Sequence, residues 1–312
     1  MALSLSTIIC TKDRPDDLDQ CLKSILKGNR LPNEIIIIDD GNLDINPLRE
    51  LVANYNISLI YRRKATPGLT ASRNLAVSIA SGDVLSFLDD DVILDQTYYN
   101  RVMEAFEQDS SHSIVGVTGA IKVQTHPIKR MFLRFFGLES GQPGKVQACG
   151  AVTLVRAGEI DQPVRVEWLS GCNMNFRRWV FENYRFDEQD SGYVLWEDRD
   201  FTYPIGQKHI LIALPDATLI HKKSSVSRAS AKNLGRMEIF HLGRFFLAHR
   251  SHNNFNWIAL GWAFVGIALK NFLTLLSPPK RAISVQQLAG NFKGFLQFIA
   301  FLKENYGKIS QD

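Results

Sequence analysis

The chain has 312 residues, of which 45% are hydrophobic and 22% charged, so it is too apolar for a disordered protein and long enough for a large globular domain. Its formal net charge of +4 is unevenly distributed. From His221 onward there are 13 Lys and Arg against 3 Asp and Glu, whereas the preceding part is mildly acidic. The four cysteines form no paired spacing that would suggest a zinc site or a disulfide framework, so we expect buried free thiols in a reducing, cytoplasmic setting.

The first half alternates between strand and helix patterns. Short Ile-rich apolar runs predict buried strands, and apolar residues at helical spacing, opened by Pro15, predict a helix between the first two of them. A strand, helix, strand unit favours a parallel pair. The predicted strands are Ser4–Cys10, Glu34–Ile38, Ile57–Tyr61 and Val84–Leu88, and the predicted helices are Pro15–Leu26, Thr70–Ala80 and Asp95–Phe106.

The second half is less regular. Strand-like stretches at Ala151–Val155 and Ile210–Leu214 surround a helix near Glu197–Gln207. After Ser230 the chain becomes basic, aromatic and helical, with apolar runs at Trp257–Leu269 and Phe292–Leu302. The predicted domains are therefore a catalytic domain over residues 1–225, with a nucleotide-binding half (1–110) and an acceptor half (111–225), and a helical extension over 226–312.

Acidic residues follow two of the predicted parallel strands, where an open α/β sheet binds its ligands. Asp40 ends the second strand, and the triplet Asp89, Asp90 and Asp91 follows the strand that ends at Leu88. Crowded carboxylates suit Mg²⁺ or Mn²⁺ shared with substrate phosphate oxygens. Isolated motifs of this kind also occur as solvated acidic turns or as turn formers such as Asp40-Gly41.

Two further polar elements suit such a site. Arg73, in the first turn of a predicted helix, is placed to pair with a phosphate or with the acidic cluster. Glu197 and Asp198 follow Trp196 at the start of another helix, where acidic residues favour the helix dipole. A carboxylate there is also a candidate general base for a transfer to a hydroxyl group.

Five motifs follow one another along the chain, in the segments 7–11, 37–41, 67–74, 82–91 and 197–201. In this order they resemble the motifs of family 2 inverting glycosyltransferases with the GT-A fold, a Rossmann-like α/β fold. The resemblance covers roughly Ser4–His221 and implies transfer of a sugar from a nucleotide-diphosphate donor, with a divalent metal, Mn²⁺ or Mg²⁺.

The resemblance also implies residue roles. Asp198 would be the catalytic base, with Glu197 beside it on the acceptor side. Donor-binding residues would be Thr11, Asp40, Arg73, Asp89 and Asp90. Metal ligands would be Asp91 and His221, and acceptor-side residues would be Gly171, Asn173 and Trp196.

Other interpretations remain. The acidic triplet also suits a metal-dependent nucleotide-sugar hydrolase or a nucleotidyltransferase, although no P-loop motif is present. The basic segment from His221 onward, the C-terminal tail, would also suit a nucleic-acid-binding scaffold protein. However, the basic residues of the tail are interleaved with apolar runs and match no nucleic-acid-binding motif. We therefore expect no nucleic-acid partner.

The tail suggests a membrane partner. Trp257–Leu269 is shorter than the roughly 20 residues of a spanning helix, so we expect a peripheral helix at an anionic membrane surface, on the cytoplasmic face. The alternatives are a helix that spans the membrane, a buried helix and a homo-oligomer interface. The expected acceptor is a glycan or a lipid-linked sugar in cell-surface polysaccharide or glycolipid synthesis.

Overall fold

The computed structural model describes residues 2–124, 126–189, 193–224, 226–227, 229–250 and 255–309. They form two compact units, each assembled from two separate segments of the chain. The first unit comprises Met1–Gln124 and Leu154–Ser227, and the second comprises Thr125–Thr153 and Arg228–Asp312. Residues 125–153, which the sequence analysis assigned to the acceptor half, thus group with the C-terminal helices.

The first unit is built on a sheet of nine strands within the described residues. Its order is β3-β2-β1-β4-β8-β6-β9-β5, with β7 paired to β9. Strands β1 to β4 run parallel, whereas β8 is antiparallel to both β4 and β6. The strands are β1 (Leu5–Thr11), β2 (Glu34–Asp39), β3 (Ser58–Arg63), β4 (Val84–Asp89), β5 (Val92–Leu94), β6 (Ile114–Lys122), β7 (Val164–Val166), β8 (Asn173–Arg177) and β9 (Ile210–His221).

Helices flank this sheet and form most of the second unit. Pro15 occupies the first turn of α1, followed by two aspartates that favour the helix dipole. The first unit contains α1 (Pro15–Leu26), α2 (Asn46–Val52), α3 (Leu69–Ile79), α4 (Tyr98–Gln108) and α6 (Glu197–Lys208). The second contains α5 (Pro127–Phe135), α7 (Ala231–His249), α8 (Trp257–Leu273) and α9 (Arg281–Ile309).

The core lies on both faces of the sheet, which explains why the central strands are apolar throughout. Along β2, Ile35 and Ile37 pack into one cluster with α1 and α4. Ile36 and Ile38 point the other way, into a cluster that contains side chains of α3 and α6. Each isoleucine is fully buried, and burial of such a side chain stabilises the fold by about 1.5–3 kcal/mol.

Several predicted elements are confirmed and one is wrong. The parallel pairing of β1 with β2 and the helix from Pro15 to Leu26 are as expected. The predicted strand Ala151–Val155 is absent, because this stretch makes only an isolated bridge between Val146 and Val152. The apolar residues of this short loop give the same hydropathy pattern as a buried strand, which is why the sequence predicted one.

Candidate active site

The candidate site lies at the carboxyl ends of the parallel strands. Across the sheet, Thr11 is in register with Asp39 on one side, and Cys10 is in register with Asp89 on the other. The carboxyl ends of β1, β2 and β4 therefore share one edge. The sequence analysis predicted that acidic residues from two of these strands would meet there.

Three side chains form a group that can hold a metal ion. The ligand atoms of Asp89, Asp91 and His221 all lie within 4.8 Å of one another. His221 ends β9, which pairs with the short strand β5 directly after the acidic triplet, and this pairing brings the distant histidine to the carboxylates. Asp91 Oδ1 is buried and makes no hydrogen bond, although it lies 3.1 Å from His221 Nε2. A buried carboxylate oxygen without a hydrogen bond suits a cation ligand, so the residues fit a metal.

Asp91 and His221 also shift each other's pKa. Burial alone would raise the pKa of Asp91, but the contact with His221, the hydrogen bond from the Ser224 amide and the charge of Arg14 together lower it to about 2. Burial would lower the pKa of His221, whereas the contacts with Asp91 and Cys172 and the charge of Asp89 together raise it to about 11. The pair therefore carries opposite charges near neutral pH, and a cation that binds there must compete with the histidine proton.

Asp90, the middle residue of the triplet, makes its hydrogen bonds with residues outside this group. Its carboxylate accepts hydrogen bonds from Thr11 Oγ1 at 2.7 Å and from the Arg14 guanidinium at 3.0 Å. Burial raises the pKa of Asp90 to about 6, although the charge of Arg14 acts against it. The Nε of Arg14 also donates to the carbonyl oxygen of Val226, 2.8 Å away. The sequence analysis missed Arg14, which follows a strand end as the predicted site residues do.

Asp40 contacts residues just before and at the start of α3. Its two carboxylate oxygens accept hydrogen bonds from the Gly68 amide at 2.7 Å and the Ser72 hydroxyl at 2.8 Å, and Lys64 lies 3.3 Å away. These contacts hold the start of α3 against the end of β2. Asp40 therefore fixes the helix that carries Arg73.

Arg73 connects the two acidic parts of the site. It is only 3% exposed, and its guanidinium lies 2.9 Å from Glu197 and 3.6 Å from Asp89. It also lies over the ring of Phe186, with 5.3 Å between the guanidinium carbon and the ring centroid. The metal-ligand group and the Glu197-Asp198 pair thus share one buried cation.

Asp198 is held by the backbone on both sides. One carboxylate oxygen accepts a hydrogen bond from the Gly171 amide at 2.7 Å, and the other accepts one from the Arg199 amide at 2.8 Å. Burial raises the pKa of Asp198, and burial together with the charge of Asp198 raises the pKa of Glu197 to about 7. A carboxylate with a raised pKa is a better general base near neutral pH.

The three predicted acceptor-side residues lie in different surroundings. Gly171 lies directly against Asp198 and Arg73, since a Cβ added at Gly171 would lie 3.1 Å from an atom of each. Asn173 is fully buried within the sheet, where its amide oxygen accepts hydrogen bonds from Thr118 and Gly119. The half-buried Trp196 packs its ring against the Arg199 guanidinium just before α6. Among the three, only Gly171 contacts the site residues in the contacts described.

Solved structures share this fold at low sequence identity. A mannosyltransferase from Pyrobaculum calidifontis, in complex with GDP-Man and Mn²⁺, superposes with a TM-score of 0.58 and 14% identity, covering 95% of this chain and 88% of that one. GalNAc-T7 with UDP, GalNAc and Mn²⁺ gives a TM-score of 0.57 and 16% identity, covering 88% of this chain and 58% of that one. The fold is therefore the GT-A fold of glycosyltransferases.

Proteins of similar sequence are also glycosyltransferases. An uncharacterised glycosyltransferase, YwdF of Bacillus subtilis, is 31% identical over 105 residues, which are 34% of this chain and 39% of the relative. The cholesterol galactosyltransferase of Borreliella burgdorferi is 34% identical over 103 residues, which are 31% of this chain and 28% of the relative. Residues 6–157, just under half of the chain, match the family Glycosyl transferase family 2.

Proposed function

We propose that this protein is an inverting glycosyltransferase that moves a sugar from a nucleotide-diphosphate donor to an acceptor hydroxyl group. The observation that carries the proposal is the position of Arg73, between Asp89 of the metal-ligand group and Glu197 beside Asp198. A transfer of this kind needs both parts close together, because the diphosphate leaves on one side of the sugar while the hydroxyl attacks on the other.

In this proposal Asp198 is the general base. The bond between the acceptor oxygen and the anomeric carbon forms as the bond from that carbon to the diphosphate breaks, and Asp198 accepts the proton of the hydroxyl group. A single displacement inverts the configuration at that carbon. The hydrogen bonds from the Gly171 and Arg199 amides fix both oxygens of Asp198, so the base is positioned before the substrates bind.

Asp89, Asp91 and His221 would hold the metal ion, Mn²⁺ or Mg²⁺. When bound, such an ion neutralises the charge of the departing diphosphate. Asp90, Thr11 and Asp40 are proposed on the donor side, together with Arg14 through its contact with Asp90. Both the mannosyltransferase and the GalNAc-T7 structures hold Mn²⁺ with a nucleotide or nucleotide sugar, which supports a donor of this class here.

The proposed acceptor is a glycan or a lipid-linked sugar, and the proposed location is peripheral, at the cytoplasmic face of a membrane. The excess of basic residues after His221 supports an anionic surface as partner. A lipid acceptor is also named for the Borreliella burgdorferi relative. The aligned segment is a minor part of each curated relative's length, so their substrates support this proposal only as a class.

The experiment is a screen of UDP-, GDP- and dTDP-sugars with Mn²⁺, with and without EDTA, in the presence of membrane extracts as a source of acceptor. We expect one donor to give a metal-dependent glycosylated product. Donor cleavage at the same rate with and without acceptor would instead identify a nucleotide-sugar hydrolase. No turnover of any donor, with donor binding intact, would contradict both enzymatic interpretations.

A further inference from the structure

Helix α5 of the second unit has one exposed apolar face. Ile128, Met131 and Phe135 are each exposed by 66–67%, and their spacing of three and four residues places them on the same side of the helix. Lys129 and Arg134 are exposed on either side of that face. Amphipathic helices with this arrangement bind at membrane interfaces.

Helix α8 has a second such face. Ile258, Trp262 and Val265 are 83%, 43% and 51% exposed, and helical spacing places them together. Leu260, Ala263 and Ile267 lie on the opposite side and are buried. One side of α8 thus packs inside the unit, and the other side carries large apolar residues toward solvent.

The two faces adjoin. The rings of Phe135 and Trp262 are 5.4 Å apart between centroids, and Trp262 Nε1 donates a hydrogen bond of 2.8 Å to the carbonyl oxygen of Phe135. The next residue, Phe136, packs so closely on Gly266 that a Cβ there would lie 2.4 Å from it. The six residues Ile128, Met131, Phe135, Ile258, Trp262 and Val265 therefore form one surface, the α5–α8 patch.

The packed side of α8 distinguishes a helix lying in the interface from one that crosses the bilayer. Trp257–Leu276 is long and apolar enough to span a membrane by length and composition. However, Asn271 is buried and donates a hydrogen bond to Asn291 of α9, and Lys270 pairs with Glu238 of α7 at 2.8 Å. These polar contacts tie one side of α8 to α7 and α9, which leaves only the other side available to lipid.

The positive net charge of the second unit favours binding to an anionic lipid surface. Its segments contain 15 Lys and Arg against four Asp and Glu, a net charge of +11. Two of the four acidic residues are neutralised by ion pairs, Glu139 with Arg130 and Glu238 with Lys270. Basic residues near an anionic leaflet are attracted to its surface charge, so this unit favours anionic over neutral lipid.

We propose that the α5–α8 patch inserts into the interface of an anionic lipid bilayer, with α5 and α8 lying along it. This assigns the proposed membrane location to a defined surface, half of which comes from the middle of the chain. The inference deepens the proposed location but does not depend on the transfer chemistry, so binding is measured without donor or acceptor.

The first test is co-sedimentation of the full chain with vesicles of phosphatidylcholine and phosphatidylglycerol, and with phosphatidylcholine alone. We expect binding to the anionic vesicles, weakened about tenfold or more by the double variant I128S/M131S, since two exposed apolar side chains leave the interface. The control is Tyr55→Ser, which removes a 37% exposed aromatic residue of the first unit. Equal binding of wild type and I128S/M131S would overturn the proposal, as would a soluble dimer that this variant dissociates.

The second test locates the patch in the bilayer through tryptophan fluorescence. Lipids brominated near the headgroup should quench the wild type more than lipids brominated near the chain end. The Trp262→Phe variant should lose much of this quenching. The control is Trp179→Phe, which removes a 37% exposed tryptophan of the first unit and should leave the quenching unchanged. Stronger quenching by the deep label would show a spanning helix and overturn the proposal. A failed donor screen with intact vesicle binding would contradict only the proposed function.

Discussion

At the residue scale, Asp198 is the side chain on which the proposed reaction depends. We expect Asp198→Asn to reduce transfer by at least about a thousandfold while donor affinity stays within a few-fold, because a lost base affects proton transfer more than substrate binding. Steady-state kinetics and donor calorimetry measure the two effects. The exposed Glu182→Gln in the same unit is the control. Transfer within a few-fold of wild type would remove Asp198 from this role.

The raised pKa values of the Glu197-Asp198 pair predict a pH dependence. Asp198 must be ionised to accept a proton, and its pKa is raised by burial, so the transfer rate should fall as the pH falls. The acid limb should therefore lie above 3.8, the ordinary aspartate value. A profile of kcat against pH tests this. A flat profile down to pH values at which aspartates normally titrate would contradict it.

The position of Asp91 in the metal-ligand group predicts that donor binding depends on the metal ion. We expect Asp91→Ala to abolish the gain in donor affinity that Mn²⁺ gives the wild type, because the diphosphate and the remaining carboxylates repel each other without a bridging cation. Calorimetry with Mn²⁺ or with EDTA measures that gain. The exposed Asp216→Ala should behave as wild type. Donor affinity in the wild type that is unaffected by EDTA would contradict the metal site.

At the element scale, the approach of α6 to the loop before β8 depends on a glycine. A Cβ at Gly171 would lie 3.1 Å from Asp198 and 3.1 Å from Arg73, closer than most side chains tolerate. We expect Gly171→Ala to move the base and lower kcat by about tenfold to a hundredfold with little loss of stability. The control is Gly141→Ala, since a Cβ there would meet no atom within 4 Å. An unchanged kcat would show that Asp198 and Arg73 accommodate the added methyl group without loss of the catalytic geometry.

The same elements show how far the sequence could predict the site. β1, β2 and β4 are buried on both faces, so their apolar runs and the polar residues after them were recognisable. β8 was missed because its buried residues include Asn173, Asn175 and Arg177, which make hydrogen bonds with partners distant in the chain. The contacts of Arg73 with Glu197 and of Arg14 with Asp90 join residues 124 and 76 positions apart, which local patterns do not relate.

At the scale of the whole molecule, the second unit depends on both of its segments. Gly150 packs on Phe245, and the amide of Asn256 donates to the carbonyl oxygen of Ala148. We expect a chain that ends at Ser227 to aggregate, because residues 126–153 lose their packing partners. A chain that also replaces residues 126–153 with a short flexible linker should be soluble. Size-exclusion chromatography compares the two, and equal solubility would show that the segment needs no partner.

The two-segment origin of this unit also affects its synthesis. Thr153 leaves the ribosome roughly 75 residues before Arg228. At ~5–20 residues per second, at least about 4 to 15 seconds pass before the segment that contains its partner helices begins to appear. During that time Ile128, Met131, Phe135 and Phe136 are exposed on a nascent chain, in a form that chaperones bind and that associates with other hydrophobic surfaces. If the α5–α8 patch binds lipid as proposed, a membrane close to the ribosome would cover the same side chains before the partner helices are made.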